Sequence, residues 1–216
     1  MLDAVNLSCE RGERVLFAAL AFAVVPGSLL RVAGPNGTGK TSLLRMLCGL
    51  LEPAAGEVRW HGLDIRRQRE EYWKNLVYVG HLNGVKDDLT VIENVKVAQA
   101  VAGRNVEHEV MRRALDAVGL APYEHTLARR LSQGQRRRVA LARLFATTTA
   151  SLWILDEPFI ALDQRGVASL SERIASHVGN GNMVVLVTHQ DVAIDVPRQQ
   201  HIELAGSALS VAETAC

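Results

Sequence analysis

The sequence predicts an α/β fold with a mixed sheet core, an N-terminal antiparallel β subdomain and a helical subdomain. A strand-like run at 28–34 leads through a glycine-rich loop into a helical pattern. A second run, Leu152 to Leu155, is wholly apolar and short, which is typical of a strand buried in a parallel sheet. Between 86 and 130, apolar residues recur at three- and four-residue spacings, which indicates helices.

The elements follow one another without a repeat or a linker. We expect one domain over 1–216, with a helical subdomain at about 86–146 and no further domain after about 212. The predicted strands are 2–8, 14–25, 28–34, 57–65, 75–80, 151–156 and 182–189, and the predicted helices include 40–51, one from Ser132, and 164–178. The remaining residues are predicted to form a short tail.

Composition limits the class of partner. Lys plus Arg number 24 and Asp plus Glu number 23, for a net charge of +1, so there is no electrostatic case for nucleic acid. Cys9, Cys48 and Cys216 share no metal-ligand spacing, and their odd number argues against a disulfide framework. These features indicate a reducing compartment.

The apolar stretch from Val15 to Val25 resembles the core of a signal peptide. It has eleven residues and is too short to span a bilayer as a helix. Asp3, Glu10 and Glu13 remove the positive character that the region before such a core requires. We therefore expect a β-strand here.

The segment GPNGTGKT matches the pattern G-x-x-x-x-G-K-S/T between a strand and a helix. Consecutive backbone N–H groups of such a loop point at phosphate oxygens, and the following helix adds a favourable dipole. We expect Lys40 to bridge the β- and γ-phosphates of ATP, Thr41 to bind Mg²⁺ and Ser42 to support the α-phosphate. The predicted ATP-binding residues of the loop are Gly34, Pro35, Asn36, Gly37, Thr38, Gly39, Lys40, Thr41 and Ser42.

Two adjacent acids, Asp156 and Glu157, end the apolar strand. Burying two carboxylates together is costly without a positive partner, and Mg²⁺ supplies one. We expect Asp156 to hold Mg²⁺ through water and Glu157 to act on the attacking water as general base. The alternative is a structural acid pair that only ends the strand.

The segment LSQGQRRRVALAR decides the class of phosphate-loop protein, because it resembles the L-S-G-G-Q signature of ATP-binding cassette (ABC) ATPases. The resemblance spans about residues 2–205 and includes the phosphate loop, LWILDEPF, ALD and VTHQ. It implies a homodimer or paired cassettes in which signature residues close over ATP held by the other chain. The implied residues are Ser132, Gln133, Gly134 and Gln135 in trans, Asp163 at the same interface, and His189 at the γ-phosphate.

Three positions depart from the usual family pattern. The strand NLVYVG is followed by His81 where the family has a glutamine, and His81 either substitutes for it or only shapes the loop. The aromatic residue that stacks on adenine is missing, and Arg11 or Phe17 is the candidate to replace it. Gln133 also replaces a signature glycine.

The details resemble the cytochrome c maturation, or heme exporter, ATP-binding proteins of the CcmA type. The resemblance rests on LSCERGERVLF, His81, LWILDEPFIALD and THQ. It implies an ATP-hydrolysing subunit that works with a separate CcmB-like transmembrane permease at the cytoplasmic face of the bacterial inner membrane. We expect docking near the helical subdomain and at Leu82, Val85 and Leu89.

Two other functions remain open at this point. One is a soluble ABC ATPase that acts on nucleic acid or ribosomes, and the other is a small-molecule kinase. The arginines after the signature, Arg136, Arg137, Arg138 and Arg143, are predicted to form a solvated helix face. The absence of a paired cassette or a long insertion in this chain favours the transporter subunit.

Overall fold

The computed structural model describes residues 1–147, 149–205 and 209–214, which form two sheets and six helices. The strands are β1 (Leu2–Arg11), β2 (Arg14–Val24), β3 (Ser28–Ala33), β4 (Ala55–Trp60), β5 (Leu63–Asp64), β6 (Leu76–Val79), β7 (Leu152–Asp156), β8 (Met183–Val187), β9 (Gln199–Leu204) and β10 (Leu209–Thr214). The helices are α1 (Lys40–Leu47), α2 (Arg69–Lys74), α3 (Val91–Val101), α4 (His108–Ala117), α5 (Gln133–Ala146) and α6 (Gln164–Gly179).

The larger sheet has the strand order β10-β9-β3-β8-β7-β6. Its strands run parallel from β9 to β6, and β10 pairs antiparallel with β9. The smaller sheet is antiparallel, with the order β2-β1-β4-β5. The expected fold, a mixed sheet with an N-terminal antiparallel subdomain, is confirmed.

The C-terminal region differs from the prediction of a short tail. Gln199–Leu204 forms β9, which pairs in parallel with β3. Its first three residues are polar and half-buried, and its two apolar residues, Ile202 and Leu204, are buried. Such a strand lacks the continuous apolar run that marks β7 and β8, so its hydrophobic pattern was too weak to detect. Cys216 lies outside the described residues.

The larger sheet is buried on both faces, because its strands alternate between two apolar clusters. Leu30 and Ile154 pack in the cluster that contains α1 and the antiparallel sheet. Leu29 and Trp153 pack on the opposite face with residues of α5 and α6. Successive strand residues point to opposite faces, so both layers are covered. This arrangement places the carboxyl ends of β3 and β7 beside the start of α1.

The helices α3, α4 and α5 share a third apolar cluster with the connections between them. Helix α3 begins with a capping box in which Thr90 and Glu93 satisfy each other's backbone N–H groups. Val85 packs against this cluster, and both Val85 and Leu89 are half-buried, whereas Leu82 is 84% exposed. Of the three proposed docking residues, only Leu82 is therefore a freely exposed apolar side chain.

A row of arginines joins this helical segment to the edge strand β6. Arg104 Nη2 donates at 2.8 Å to the carbonyls of Lys74 and Leu76. Arg143 Nη2 donates at 3.3 Å to the Tyr78 carbonyl, and Arg137 Nη1 donates at 2.8 Å to the Gly80 carbonyl. The four acceptors belong to alternate residues along the chain. An edge strand has carbonyls that no further strand satisfies, and guanidinium groups satisfy these.

The prediction of a solvated arginine face is wrong for two of the four residues. Arg137 is 5% exposed, and Arg143 is largely enclosed, so that burial lowers the pKa of Arg143 to about 10. Arg136 and Arg138 are partly exposed, and Arg136 pairs with Asp87. Arg137, which is buried, and Arg143, which is half-buried, both donate to carbonyls at the sheet edge.

Candidate active site

The glycine-rich loop adopts a backbone that only glycine accommodates at its two ends. Gly34 has φ 137°, and a Cβ there would overlap the Leu204 carbonyl. Gly39 has φ 100°, and a Cβ there would lie 3.1 Å from the Phe17 ring. The loop is therefore held between β9 and the β1–β2 hairpin. Helix α1 begins after Gly39 with no side-chain cap, which leaves its first N–H groups for an anion.

Lys40 is folded back onto its own loop. Its Nζ donates to the carbonyls of Gly34 at 2.6 Å and Pro35 at 2.9 Å. Burial lowers the pKa of Lys40, and the charges of Glu157 and Asp156 oppose that shift. The ammonium group is therefore fixed at the centre of the loop, within the field of the two acids.

The start of α1 and the end of β7 meet at two oxygens. Thr41 Oγ1 donates a hydrogen bond of 3.0 Å to Asp156 Oδ2, and Asp156 is only 2% exposed. A hydroxyl and a carboxylate are hard oxygen donors of the kind that Mg²⁺ prefers. No cluster of three or more His, Cys, Asp or Glu side chains suited to a metal occurs within the described ranges. The pair fits an ion that takes its other ligands from phosphate and water.

Glu157 has an unusual backbone and an unpartnered oxygen. Its φ is 50°, a left-handed conformation that is rare for residues other than glycine, and its side chain is buried. Oε2 accepts a 3.2 Å hydrogen bond from the His189 backbone N–H. Oε1 is buried without a hydrogen-bond partner in the described part of the chain, and His189 Nε2 lies 3.5 Å from it. This geometry suits an oxygen that accepts a proton from a bound molecule.

One cleft of about 700 Å³ contains most of the predicted residues. The predicted residues that line it are Arg11, Asn36, Gly37, Gly39, Lys40, Thr41, Ser42, His81, Asp156, Glu157 and His189. Among the loop residues, Gly34, Pro35 and Thr38 are not part of the lining, and Thr38 Oγ1 donates to the Pro35 carbonyl at 3.0 Å. The phosphate loop, the two acids at the end of β7, His81 and His189 are far apart in the sequence, but they form one site.

The cleft also has lining residues that sequence reasoning missed. They are Arg14, Leu16, Ile160, Val187 and Gln190. Arg14 is the cross-strand neighbour of Arg11 next to the β1–β2 turn, so two guanidinium groups border the cleft. Their position on a hairpin, three residues apart, was the signal that could have identified Arg14.

Phe17 does not border the cleft. It is 1% exposed and packs beneath the loop at Gly39. The alternative that Phe17 stacks on adenine is therefore wrong, because its ring already supports the phosphate loop. Arg11 remains the candidate of the two.

The signature helix starts outside the cleft. Ser132 is the N-cap of α5 and forms a capping box with Gln135, with bonds of 2.8 and 3.2 Å. Ser132 and Gln133 are exposed, and a Cβ at Gly134 would lie 3.1 Å from the Ala161 carbonyl. Of the four predicted residues, only Gln133 borders a second, small cavity of about 160 Å³ next to His81 and Glu157.

Asp163 also lies outside the cleft. It is exposed and caps α6 by accepting the Gly166 backbone N–H at 2.8 Å. Ser132 and Asp163 are thus exposed, Gly134 and Gln135 are half-buried, and none of the four lines the cleft of its own chain.

Arg137 is a further site neighbour that the sequence did not reveal. Its Nη2 donates to the carbonyls of Asp156 at 2.8 Å and Glu157 at 2.6 Å. Burial lowers the pKa of Arg137, and the Asp156 and Glu157 carboxylates oppose the shift. The signal that could have found it is weak, since nothing in the local pattern separates Arg137 from Arg136 and Arg138.

Within the described residues, no helix combines the length and the apolar character needed to cross a bilayer.

Comparison with known proteins identifies relatives. The ABC transporter family model matches residues 17–160. The cytochrome c biogenesis ATP-binding export protein CcmA of Aromatoleum aromaticum is 51% identical over 197 residues, which cover 91% of this chain and 92% of that protein. The protein of the same name from Nitrosomonas europaea is 49% identical over 205 residues, covering 95% and 96%.

Solved structures agree in fold. The ATP-binding subunit of an ABC transporter matches with a TM-score of 0.83 at 23% identity, over 98% of this chain and 90% of that chain. A dimeric ATP-binding cassette bound to ADP and phosphate matches with a TM-score of 0.82 at 22% identity, over 98% of both chains.

Proposed function

This chain belongs to the family of ABC transporter ATP-binding proteins, and we propose that it is the ATP-hydrolysing, energy-coupling subunit of a membrane complex for c-type cytochrome biogenesis. The observation that carries the proposal is the single cleft in which the phosphate loop, Asp156, Glu157 and His189 converge. The relatives' name, an export protein of cytochrome c biogenesis, supports the process and the membrane partner.

ATP binds with its phosphates on the loop. The N–H groups at the start of α1 face the phosphate oxygens, and Lys40 leaves the Gly34 and Pro35 carbonyls to bridge the β- and γ-phosphates. Ser42 supports the α-phosphate, and Asn36 with the loop glycines encloses the chain of phosphates. Mg²⁺, when bound by Thr41 and, through water, by Asp156, neutralises phosphate charge.

Glu157 and His189 then act at the γ-phosphate. Glu157 Oε1, to which no described residue donates a hydrogen bond, accepts a proton from the attacking water. The His189 backbone holds the other carboxylate oxygen in place, and its ring lies beside the γ-phosphate. His81, which also lines the cleft, takes the place of the family's glutamine and orients the water.

The site is completed by a second copy of the chain or by a paired cassette. The start of α5, at Ser132, is an exposed helix N-terminus that does not line the cleft of its own chain. In a head-to-tail dimer, Ser132, Gln133, Gly134 and Gln135 close over the partner's ATP, and Asp163 crosses the same interface. ATP binding thus closes the dimer and hydrolysis reopens it.

A separate CcmB-like permease receives the motion at the cytoplasmic face of the inner membrane, where this chain is peripheral. An apolar groove of about 300 Å³ lies between β6 and α3, bordered by the exposed side chains of Leu50, Trp73 and Val101. The groove and, separately, the exposed Leu82 provide apolar surface of the kind that a partner covers. No observation favours the nucleic-acid alternative, and the relatives' names support the export complex.

Two measurements test the proposal. Phosphate release per chain should rise with chain concentration, because each site requires a second chain. Turnover that stays constant on dilution, with no self-association, would contradict the half-site model. Purification of the tagged chain from its native membrane should also recover a transmembrane subunit, and a chain that binds liposomes lacking any partner would contradict docking on a permease.

A further inference from the structure

We propose that Arg137 is a positioning residue that holds Glu157 in its reactive conformation and couples it to the signature helix α5. The inference deepens the proposed ATPase function and rests on it. Arg137 has no part in the functions that the motifs imply, and its role follows from its contacts alone. Its side chain is 5% exposed and reaches from α5 to the ends of two strands.

The first argument is the geometry at β7. A single nitrogen, Arg137 Nη2, donates to two consecutive carbonyls, those of Asp156 and Glu157. In an extended strand, successive carbonyls point in opposite directions. They converge here because Glu157 is left-handed, with φ 50°. Arg137 therefore binds the specific backbone turn that directs the Glu157 carboxylate into the cleft, and it offsets the strain of that turn.

The second argument is the connection to the loop that carries His81. The other terminal nitrogen, Nη1, donates to the Gly80 carbonyl at 2.8 Å and to Asn83 Oδ1 at 3.2 Å. These two residues flank the loop that carries His81. The planar guanidinium thus sets the distance between the end of β6 and the end of β7, and with it the spacing of His81 and Glu157 across the site.

The third argument is the helix that carries Arg137. Ser132 and Arg137 are five residues apart at the start of α5, a rise of about 7.5 Å in a stiff helix. In the proposed dimer, Ser132 contacts the partner's ATP while Arg137 contacts Glu157 of its own chain. When α5 shifts as it closes over the partner's ATP, Arg137 carries that shift to its own Glu157. One side chain therefore links the two ATP sites.

The four acceptors of Arg137 are neutral oxygens, which distinguishes it from its neighbour. Arg136, the preceding residue, pairs with the exposed Asp87 and contacts neither strand end. Arg137→Lys keeps the positive charge but replaces the two terminal guanidinium nitrogens by one ammonium nitrogen, which cannot donate to the ends of both strands at once. Arg136→Lys is therefore a matched control on the same helix, with the same chemical change.

The experiment measures ATP turnover by the full chain against ATP concentration for wild type, Arg137→Lys, Arg137→Gln and Arg136→Lys. We expect kcat to fall about 10- to 100-fold in both Arg137 variants, since a displaced base loses alignment with the water. We expect KM and ATP affinity to stay unchanged, because the phosphate loop is untouched. The Hill coefficient should fall towards 1 in the Arg137 variants only.

The outcomes separate the two proposals. A wild-type chain without concentration-dependent turnover would overturn the dimeric ATPase function and this inference with it. A different outcome would overturn this inference alone. In it, wild type and Arg136→Lys are active and cooperative, and Arg137→Lys has the same kcat and the same Hill coefficient as they do. Loss of both ATP binding and the thermal unfolding transition in both Arg137 variants would assign Arg137 to folding, which also overturns it.

Discussion

The Thr41 hydroxyl donates a 3.0 Å hydrogen bond to Asp156 Oδ2, and this bond joins the first turn of α1 to the end of β7. The two residues are 115 positions apart in the chain. Their contact brings the loop that receives phosphate next to the acid strand. It also marks the place that we propose for a divalent ion, and substitution of each acid gives a direct test of the proposed site.

Asp156→Asn should weaken the binding of Mg²⁺. The amide keeps the shape and a hydrogen bond to Thr41 but removes the negative charge that holds the ion and its water. We expect the Mg²⁺ concentration for half-maximal hydrolysis to rise about 10- to 100-fold. The measurement is a Mg²⁺ titration of phosphate release at saturating ATP. Asp88→Asn, at a side chain that is 91% exposed, is the matched control, and equal behaviour of the two variants would contradict the assignment.

Glu157→Gln should separate ATP binding from hydrolysis. The amide cannot take a proton from water, so we expect turnover to fall about 100- to 10,000-fold, the range of a lost general base. ATP affinity should be retained, so that light scattering with ATP and Mg²⁺ detects a stable dimer. Glu172→Gln, an exposed residue of α6, should behave as wild type. A Glu157→Gln chain that stays monomeric with ATP would argue against completion of the site in trans.

The arginine pair at the β1–β2 turn should contribute to base binding. Guanidinium groups stack on aromatic rings, and an adenine base over Arg11 would be held this way. We expect Arg11→Ala to raise KM for ATP about 3- to 10-fold with kcat unchanged. Arg14→Ala tests whether the neighbour contributes equally. Arg59→Ala, on β4, removes an exposed guanidinium elsewhere on the same sheet, and an equal rise in KM there would contradict a local role.

His177 should make stability depend on pH. Its ring is buried and stacks on Trp153, with centroids 3.6 Å apart, and Nε2 has no hydrogen-bond partner among the described residues. Burial, and to a smaller extent Arg173, lowers the pKa of His177 from 6.5 to about 3. The unfolded chain therefore takes up the proton first. Stability from this residue is complete above pH 6.5 and is lost as pH falls towards 3.

We expect this effect to remove about 2 kcal/mol of unfolding free energy between pH 7 and pH 5. His177→Phe keeps an aromatic ring against Trp153 but cannot be protonated. Denaturant unfolding of both chains at pH 7 and pH 5 should therefore show a smaller loss for His177→Phe. Equal losses would mean that His177 is protonated with its ordinary pKa in the folded chain.

The local features of the site were predictable because their signals lie within a few residues. The phosphate loop needs glycines at set intervals, and Gly34 and Gly39 have the positive φ that the pattern requires. The strand β7 is a continuous apolar run that ends at Asp156. Ser132 and Gln135 are spaced as a capping box, and they form one.

Three features could not be predicted, because their causes are distant in the chain. In the sequence, Arg137 is one of three equivalent consecutive arginines, and its buried position depends on acceptors such as the Gly80 carbonyl, 57 residues away. In the sequence, Phe17 is an aromatic residue at a suitable position for stacking on adenine. In the folded chain its ring is covered by the loop at Gly39. The strand β9 has a mixed polar pattern and is fixed as a strand by pairing with β3.

The sequence alone identified the candidate residues for the chemistry of this protein, since the phosphate loop, the acid-ended strand and the signature helix are each encoded by short-range spacing. The tertiary structure decided which of those residues share a cleft and which face outward, leaving Ser132 and Asp163 apart from Lys40. It also selected Arg11 over Phe17 and brought Arg137 to Glu157. The physical reason is that periodicity and capping act within a few residues, whereas burial and carbonyl satisfaction depend on partners brought together only by folding.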